Sequence, residues 1–220
     1  MQEKTHTGKY DAVLFDLDGT LTDSGPGIMK SAVYAYTKLG IDVPSQEVLR
    51  TFVGPPLSVA FSRNGVSADR VEEAIRLYRK YYADRGKFEN EPYPGIASLL
   101  DALLADGMRL FVATSKPEAL SVEILEHFDL ARRFEIIAGA TFDHSRENKE
   151  DVISYLFDRT GTAQSAVLVG DTEFDANGAR SAGIDFIGVS WGYGDIGHMI
   201  RSGAKAIADT PEKLYDLLHG

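Results

Sequence analysis

The 220-residue sequence contains no cysteine. That absence excludes a disulfide framework, thiolate zinc sites and any mechanism built on a sulfur nucleophile. Positive charge is scarce as well: 23 Lys and Arg stand against 33 Asp and Glu, for a formal net charge of −10. A chain this acidic repels polyanions, so neither nucleic acid nor an anionic membrane surface is an expected partner. No apolar run has membrane-spanning length, and the polar stretch Met1 to Tyr10 lacks the apolar segment of a secretory signal, so a cytoplasmic protein is expected. The histidines, His6, His127, His144, His198 and His219, include no helical pair at metal-binding spacing and read as surface or internally satisfied side chains. Against these absences stand 44% hydrophobic and 25% charged residues, a balance that can bury a sizeable core.

Apolar runs of strand length recur at Ala12–Phe15, Arg109–Ala113, Phe134–Ala138, Ala166–Val169 and Phe186–Val189, and more weakly at Ala206–Ala208. Helical periodicity separates them: Ile96, Leu99, Leu100, Leu103 and Leu104 before Gly107, then 119–128, then Val152, Ile153, Leu156 and Phe157 before Gly161. Strand alternating with helix predicts an α/β fold, a Rossmann-like parallel sheet with right-handed crossovers. The alternation fails once, between about residues 22 and 91, where only helical patterns appear. That stretch is predicted to be a small inserted helical domain. Its pieces are a helix ending at Gly40, a short one capped by Ser45, and a long one after Ser67 with Val71, Ala74, Ile75, Tyr78 and Tyr82 on one face. The expected division is therefore residues 1–21 with 92–220 as the core and 22–91 as the insertion. Ser24-Gly25-Pro26-Gly27 and Pro92-Tyr93-Pro94-Gly95 read as the two hinges.

Polar residues gather where the predicted strands end, the edge at which open α/β sheets bind ligands. Asp16 and Asp18, two apart in Asp16-Leu17-Asp18-Gly19-Thr20, can face one small volume if the segment is extended; an ordinary Asp-Gly turn is the bland alternative. Asp171 and Asp175 follow the fourth core strand, either as hard oxygen ligands suited to Mg²⁺ or as a solvated helix start. Thr114 and Ser115 close another strand, with Ser115 and Glu118 at capping-box spacing, giving either a phosphate-sized anion pocket or a plain cap. Lys149 opens the next helix and alone could be a surface charge. Gly192-x-Gly194-x-x-Gly197 fits a dinucleotide fingerprint, but too little chain follows it for a nucleotide-binding half, and it reads instead as a loop passing close to the site.

Taken together, Asp16-x-Asp18, Thr114, Lys149 and Asp171 with Asp175 describe a metal-assisted phosphoryl-transfer site. In order and spacing they resemble the four motifs of the haloacid dehalogenase superfamily. The insertion after the first motif, with Phe52-Val53-Gly54-Pro55-Pro56-Leu57 inside it, is similar to the helical cap of the phosphoglycolate phosphatase-like branch. The resemblance implies a Mg²⁺-dependent phosphatase with Asp16 as nucleophile and Asp18 as acid and base, beginning protonated. It implies metal binding by Asp16, the Asp18 carbonyl, Asp171 and Asp175, phosphate binding by Thr114, Ser115, Lys149 and Gly19, and specificity from cap residues such as Arg50 and Gly54. The implied partner is a small phosphorylated metabolite, with the enzyme a monomer or homodimer. A phosphomutase shares these motifs, and a receiver-like module would share the phosphorylated Asp. The latter leaves Asp18 and the insertion without a task. Asp18 also argues against the family's dehalogenase branch.

Overall fold

The run Ala12–Phe15 forms β1, buried on both faces as a central parallel strand must be. In the computed structural model, which describes residues 9–141, 143, 145–161 and 165–220, the chain then enters the two-residue strand β2 (Thr22–Asp23). Four helices follow: α1 (Gly25–Leu39), α2 (Gln46–Arg50), α3 (Leu57–Arg63) and α4 (Val71–Asp84). The chain returns through β3 (Glu91–Pro92), which pairs with β2. Strand and helix alternate from there: α5 (Ile96–Ala105), β4 (Arg109–Pro117), α6 (Glu118–His127), β5 (Ile136–Ala140), α7 (Lys149–Thr160) and β6 (Ala166–Gly170). The last elements are α8 (Glu173–Ala182), β7 (Asp185–Val189), α9 (Ile196–Arg201), β8 (Ala206–Ala208) and α10 (Pro211–His219). His6, most of the polar N-terminal stretch, and His144 lie outside the described residues.

Six strands form one parallel sheet in the order β5-β4-β1-β6-β7-β8. Connections run outward in opposite directions on the two sides of β1, so the crevice of the sheet opens at the carboxyl ends of β1 and β6. Alternation along β1 divides the core. Val13 and Phe15 pack with Leu99, Leu100 and Leu103 of α5 and with Leu214 and Leu218 of α10. Ala12 and Leu14 pack with Val152, Ile153 and Leu156 of α7 and with Ala176 and Ala179 of α8. These two apolar layers anchor the strands whose ends carry the polar residues.

The chain divides into two compact units, one comprising the residues up to Leu21 with Pro92–Gly220, the other Thr22–Glu91. The second unit has its own aromatic centre: Phe52 and Phe61 rings lie 5.1 Å apart edge to face, Tyr36 and Phe52 6.2 Å, and Phe61 and Tyr78 6.3 Å. Its helix ends follow the sequence signals. Gly40 adopts a left-handed φ of 68° after α1, and the Ser45 side chain accepts from Val48 N at the start of α2.

Two local expectations change. Gly25-Pro26-Gly27 is the first turn of α1 and not a loop, because a proline at a helix start gives up only an N–H that the helix leaves unused. The third core strand is Ile136–Ala140, shifted from the 134–138 expected, because a 3-10 turn at Ala131–Arg133 takes up the residues before it. Among the described residues no helix is long and apolar enough to cross a membrane.

Candidate active site

Asp16 is the first residue beyond β1. Its N–H donates to Val169 O at 2.9 Å, which carries the pairing of β1 with β6 one residue past the strand and fixes Asp16 at the crevice. Lys149, the first residue of α7, is set in place by Asn148 and Asp151, which cap the helix start reciprocally. From there its ammonium reaches back under the sheet edge, donating to Ala113 O at 2.8 Å and lying 2.8 Å from Asp16 Oδ1 and 2.7 Å from Asp175 Oδ1. Three short contacts thus surround a side chain that is 5% exposed. Burial pulls its pKa down, but Asp16 and Asp175 outweigh burial and hold it above its ordinary value, so the charge stays on.

Asp175 stands in the first turn of α8, where its Oδ2 accepts from Thr172 N at 3.1 Å and from Thr172 Oγ1 at 2.7 Å. Asp171, just past β6, accepts from Tyr193 N through Oδ2 at 2.8 Å, while its Oδ1 is buried without a hydrogen-bond partner among the described residues. Crowding of like charge shows in the acidities. Burial, then Asp175 and Asp16, push Asp171 well above the usual carboxylate range. Burial, opposed by Lys149 and reinforced by Asp175 and Asp18, raises Asp16 to about 6. One oxygen from each of Asp16, Asp171 and Asp175 lies within 4.8 Å of the others, an all-oxygen set of the kind a small hard cation takes.

Asp18 and Thr114 join the same edge from β1 and β4. Thr114 is buried, and its hydroxyl oxygen accepts from Lys116 N at 3.2 Å, which leaves the hydroxyl proton to donate elsewhere. Asp18 is held by Lys116, whose Nζ donates to its Oδ1 at 2.9 Å and Oδ2 at 2.8 Å. Gly19 follows with φ of +84°, and a Cβ there would stand 2.2 Å from Asp171 Oδ2, so only glycine brings the backbone this close to the acid. The loop after β7 closes the other side: besides the Tyr193 bond, a Cβ on Gly192 would lie 2.4 Å from Asp171.

Ser115 departs from expectation. It is exposed and caps nothing: β4 stays extended through Pro117, α6 starts at Glu118, and the Glu118 carboxylate accepts from Gly139 N and Arg146. A residue preceding proline is disfavoured in helical conformation, which keeps Lys116 extended and displaces the cap. Arg50 and Gly54 belong to the Thr22–Glu91 unit, where both are exposed, while Phe52 between them is buried in the aromatic centre. The residues that sequence reasoning passed over are Lys116 and the backbone N–H of Tyr193. Lys116 carried a signal, since it lies two positions beyond Thr114 in an extended segment and so faces the same way.

Comparison with known proteins follows the same lines. The family model described as haloacid dehalogenase-like hydrolase matches residues 13–189. A 5'-nucleotidase of Pseudomonas aeruginosa is 42% identical over 188 residues, covering 84% of this chain and 85% of its own. A plasmid-encoded phosphoglycolate phosphatase of Cupriavidus necator is 33% identical over 213 residues, covering 94% and 92%. The tyrosine-protein kinase PtkA of Mycobacterium tuberculosis is 43% identical over 183 residues, covering 83% of this chain and 62% of PtkA. Its solved structure superposes with a TM-score of 0.84 at 38% identity, covering 95% of this chain and 99% of that one.

Proposed function

The chain belongs to the haloacid dehalogenase-like hydrolase family, and from that premise we propose that it is a Mg²⁺-dependent phosphatase working through an aspartyl-phosphate on Asp16. The observation that carries this reading is the buried constellation at the carboxyl ends of β1 and β6, where Lys149 is held between Asp16 and Asp175 and Asp171 keeps an oxygen with no partner among the described residues. Magnesium fits that donor set. Asp16 and Asp171, with the Asp18 carbonyl and Asp175 beside them, would hold the cation, which supplies charge neutralisation and polarisation of a phosphoryl oxygen.

The chain's own residues account for the rest. Four carboxylates share this edge with the ammonium groups of Lys149 and Lys116, so the site carries an excess of negative charge that disfavours an incoming phosphate unless it is balanced. Lys149 lies against the nucleophile and lowers the cost of bringing the phosphate dianion to it. An oxygen of Asp16 attacks phosphorus as the bond to the leaving oxygen breaks, and Asp18, which must take up a proton before this step, gives it to that oxygen. Water then attacks the same phosphorus, Asp18 takes its proton, and Asp16 is released with free phosphate. The pairing with Lys116 suits this second role. Thr114 has a hydroxyl proton to offer a phosphoryl oxygen.

The substrate class proposed is a small phosphomonoester, with nucleoside 5'-monophosphates and phosphoglycolate first in order because relatives at 42% and 33% identity carry those names. The Thr22–Glu91 unit is proposed as the cap that selects among them, and Arg50 and Gly54 as residues of that selection. A panel of phosphate esters, assayed with Mg²⁺ and with chelator, tests the assignment. Phosphate release should depend on the metal and fall at least about a thousandfold in Asp16→Asn, as expected when a nucleophile is removed. Hydrolysis in ¹⁸O-water should place label in free phosphate; conversion of a sugar 1-phosphate to its 6-phosphate without label would replace this reading with a mutase.

A further inference from the structure

Lys116 leaves β4 where that strand breaks register with β5, between Ala113 and Pro117, and its side chain crosses to the end of β1. The residue is fastened at both ends. Its N–H donates to Thr114 Oγ1 at 3.2 Å, and its ammonium grips both oxygens of Asp18 at 2.9 and 2.8 Å, with the two side chains only 7% and 15% exposed. Among the described residues both hydrogen bonds to the Asp18 carboxylate come from Lys116. Ordering a lysine side chain sacrifices more rotamer freedom than almost any other, and burying a charge pair brings little net stability. Such a pair is therefore poorly explained as a device for holding the fold together. It is well explained as a device for holding one carboxylate in one orientation.

The geometry points to Lys116 as a positioning residue for Asp18, fixing the carboxylate that takes the proton of the water attacking the phosphoenzyme. This rests on the role proposed above for Asp18. Without the clamp, Asp18 is repelled by Asp16 two residues away and by the other acids of the edge, and turns toward solvent. The nucleophile has its own cation in Lys149, so with a leaving group that needs no proton, formation of the phosphoenzyme does not depend on Lys116. Its breakdown does.

Rapid mixing with 4-nitrophenyl phosphate and Mg²⁺ separates the steps, because nitrophenolate leaves without a proton and its first turnover reports phosphorylation of Asp16 alone. Lys116→Met is expected to release close to one equivalent of nitrophenolate per folded enzyme at a rate within about threefold of wild type, then to turn over at least about tenfold more slowly, the usual scale for a displaced proton-transfer group. Lys116→Arg, which keeps a cation able to span both carboxylate oxygens, should restore steady turnover. Asp18→Asn is the control and should show the same burst with a deeper loss. If Asp18→Asn shows no burst and no slowing, the role given to Asp18 falls. If Asp18→Asn behaves as expected but Lys116→Met turns over at the wild-type rate, the inference about Lys116 is overturned. It is equally overturned if Lys116→Met loses burst and turnover in step or raises KM, since Lys116 then binds phosphate or merely supports the fold.

Discussion

Asp16 is held between opposing forces. Burial raises its pKa, Lys149 lowers it, and Asp175 and Asp18 raise it again, leaving it at about 6 against an ordinary value of 3.8. A carboxyl shifted upward binds its proton more tightly in the folded chain, so its stabilising contribution is full below about pH 4 and is lost as the pH rises through about 6. For Asp16 alone, that difference is on the order of 3 kcal/mol. Asp171, displaced in the same direction, adds to it. The divalent cation proposed at these oxygens would take the place of the missing protons. The metal-free protein should therefore melt higher at pH 5 than at pH 7, and Mg²⁺ should raise Tm by several degrees at pH 7 and by clearly less at pH 5. Calorimetry at both pH values, with and without the metal, checks this; an equal Mg²⁺ effect at the two would contradict it. In the same experiment Asp16→Asn should raise the metal-free Tm at pH 7, since the amide carries no charge to bury. Asp16, Asp18, Asp171 and Asp175 were legible as strand-end acids because their positions follow from local patterns. The bond from Lys116 to Asp18 was not, because it depends on β4 lying beside β1, a neighbourhood that no local pattern encodes.

The loop from β7 to α9 shows what an element contributes beyond its side chains. Gly192 and Gly194 allow the backbone to lie against Asp171, and Tyr193 N fixes one of that acid's oxygens at 2.8 Å, leaving the other oxygen for the cation proposed above. Asp195 then starts α9 by accepting from His198 N at 2.8 Å. Two glycines of the spacing that imitates a dinucleotide fingerprint are thus explained by close approach to Asp171, Gly192 to its carboxylate and Gly194 to its main-chain carbonyl. Gly192→Ala would place a methyl group 2.4 Å from Asp171 and 2.5 Å from Gly19 O. Overpacking of this kind costs about 1–3 kcal/mol. Because it falls on a proposed metal ligand, we expect the Mg²⁺ concentration for half-maximal activity to rise about tenfold or more, which is the same energy expressed as affinity. A metal titration of activity measures it; an unchanged midpoint with lowered Tm would show that the loop supports only the fold. The misread cap at Ser115 belongs to the same scale. The helix start expected there is present at Glu118, but Pro117 holds the chain extended up to it, so Ser115 does not cap it, and the proline was the stronger signal.

At the scale of the whole molecule, the residues proposed for chemistry and those proposed for selection fall in two units that each have a core of their own. Every residue placed in the chemistry, from Asp16 to Asp175, lies in the α/β unit, whereas the Thr22–Glu91 unit is built on Tyr36, Phe52, Phe61 and Tyr78 and contributes none of them. The insertion was visible in the sequence as an interruption of strand–helix alternation, which is a pattern long enough to survive local misreadings such as Gly25-Pro26-Gly27. Its exit and return are close together, for Tyr93 N donates to Leu21 O at 3.1 Å. A short Gly/Ser linker can therefore join Leu21 to Pro92 without straining the α/β unit, and closing so short a loop costs little entropy. If chemistry and selection are separate, the excised protein should keep a Mg²⁺-dependent rise in Tm and measurable hydrolysis of 4-nitrophenyl phosphate. Its preference among nucleoside monophosphates, phosphoglycolate and sugar phosphates should shrink to within a few-fold, because phosphate-group binding is common to them all. In the intact chain Arg50→Ala should lower kcat/KM for the preferred ester about tenfold, the equivalent of one lost charged contact, with 4-nitrophenyl phosphate affected less than about twofold. Selectivity that survives both changes would move substrate recognition into the α/β unit and leave the helical insertion without the role proposed for it.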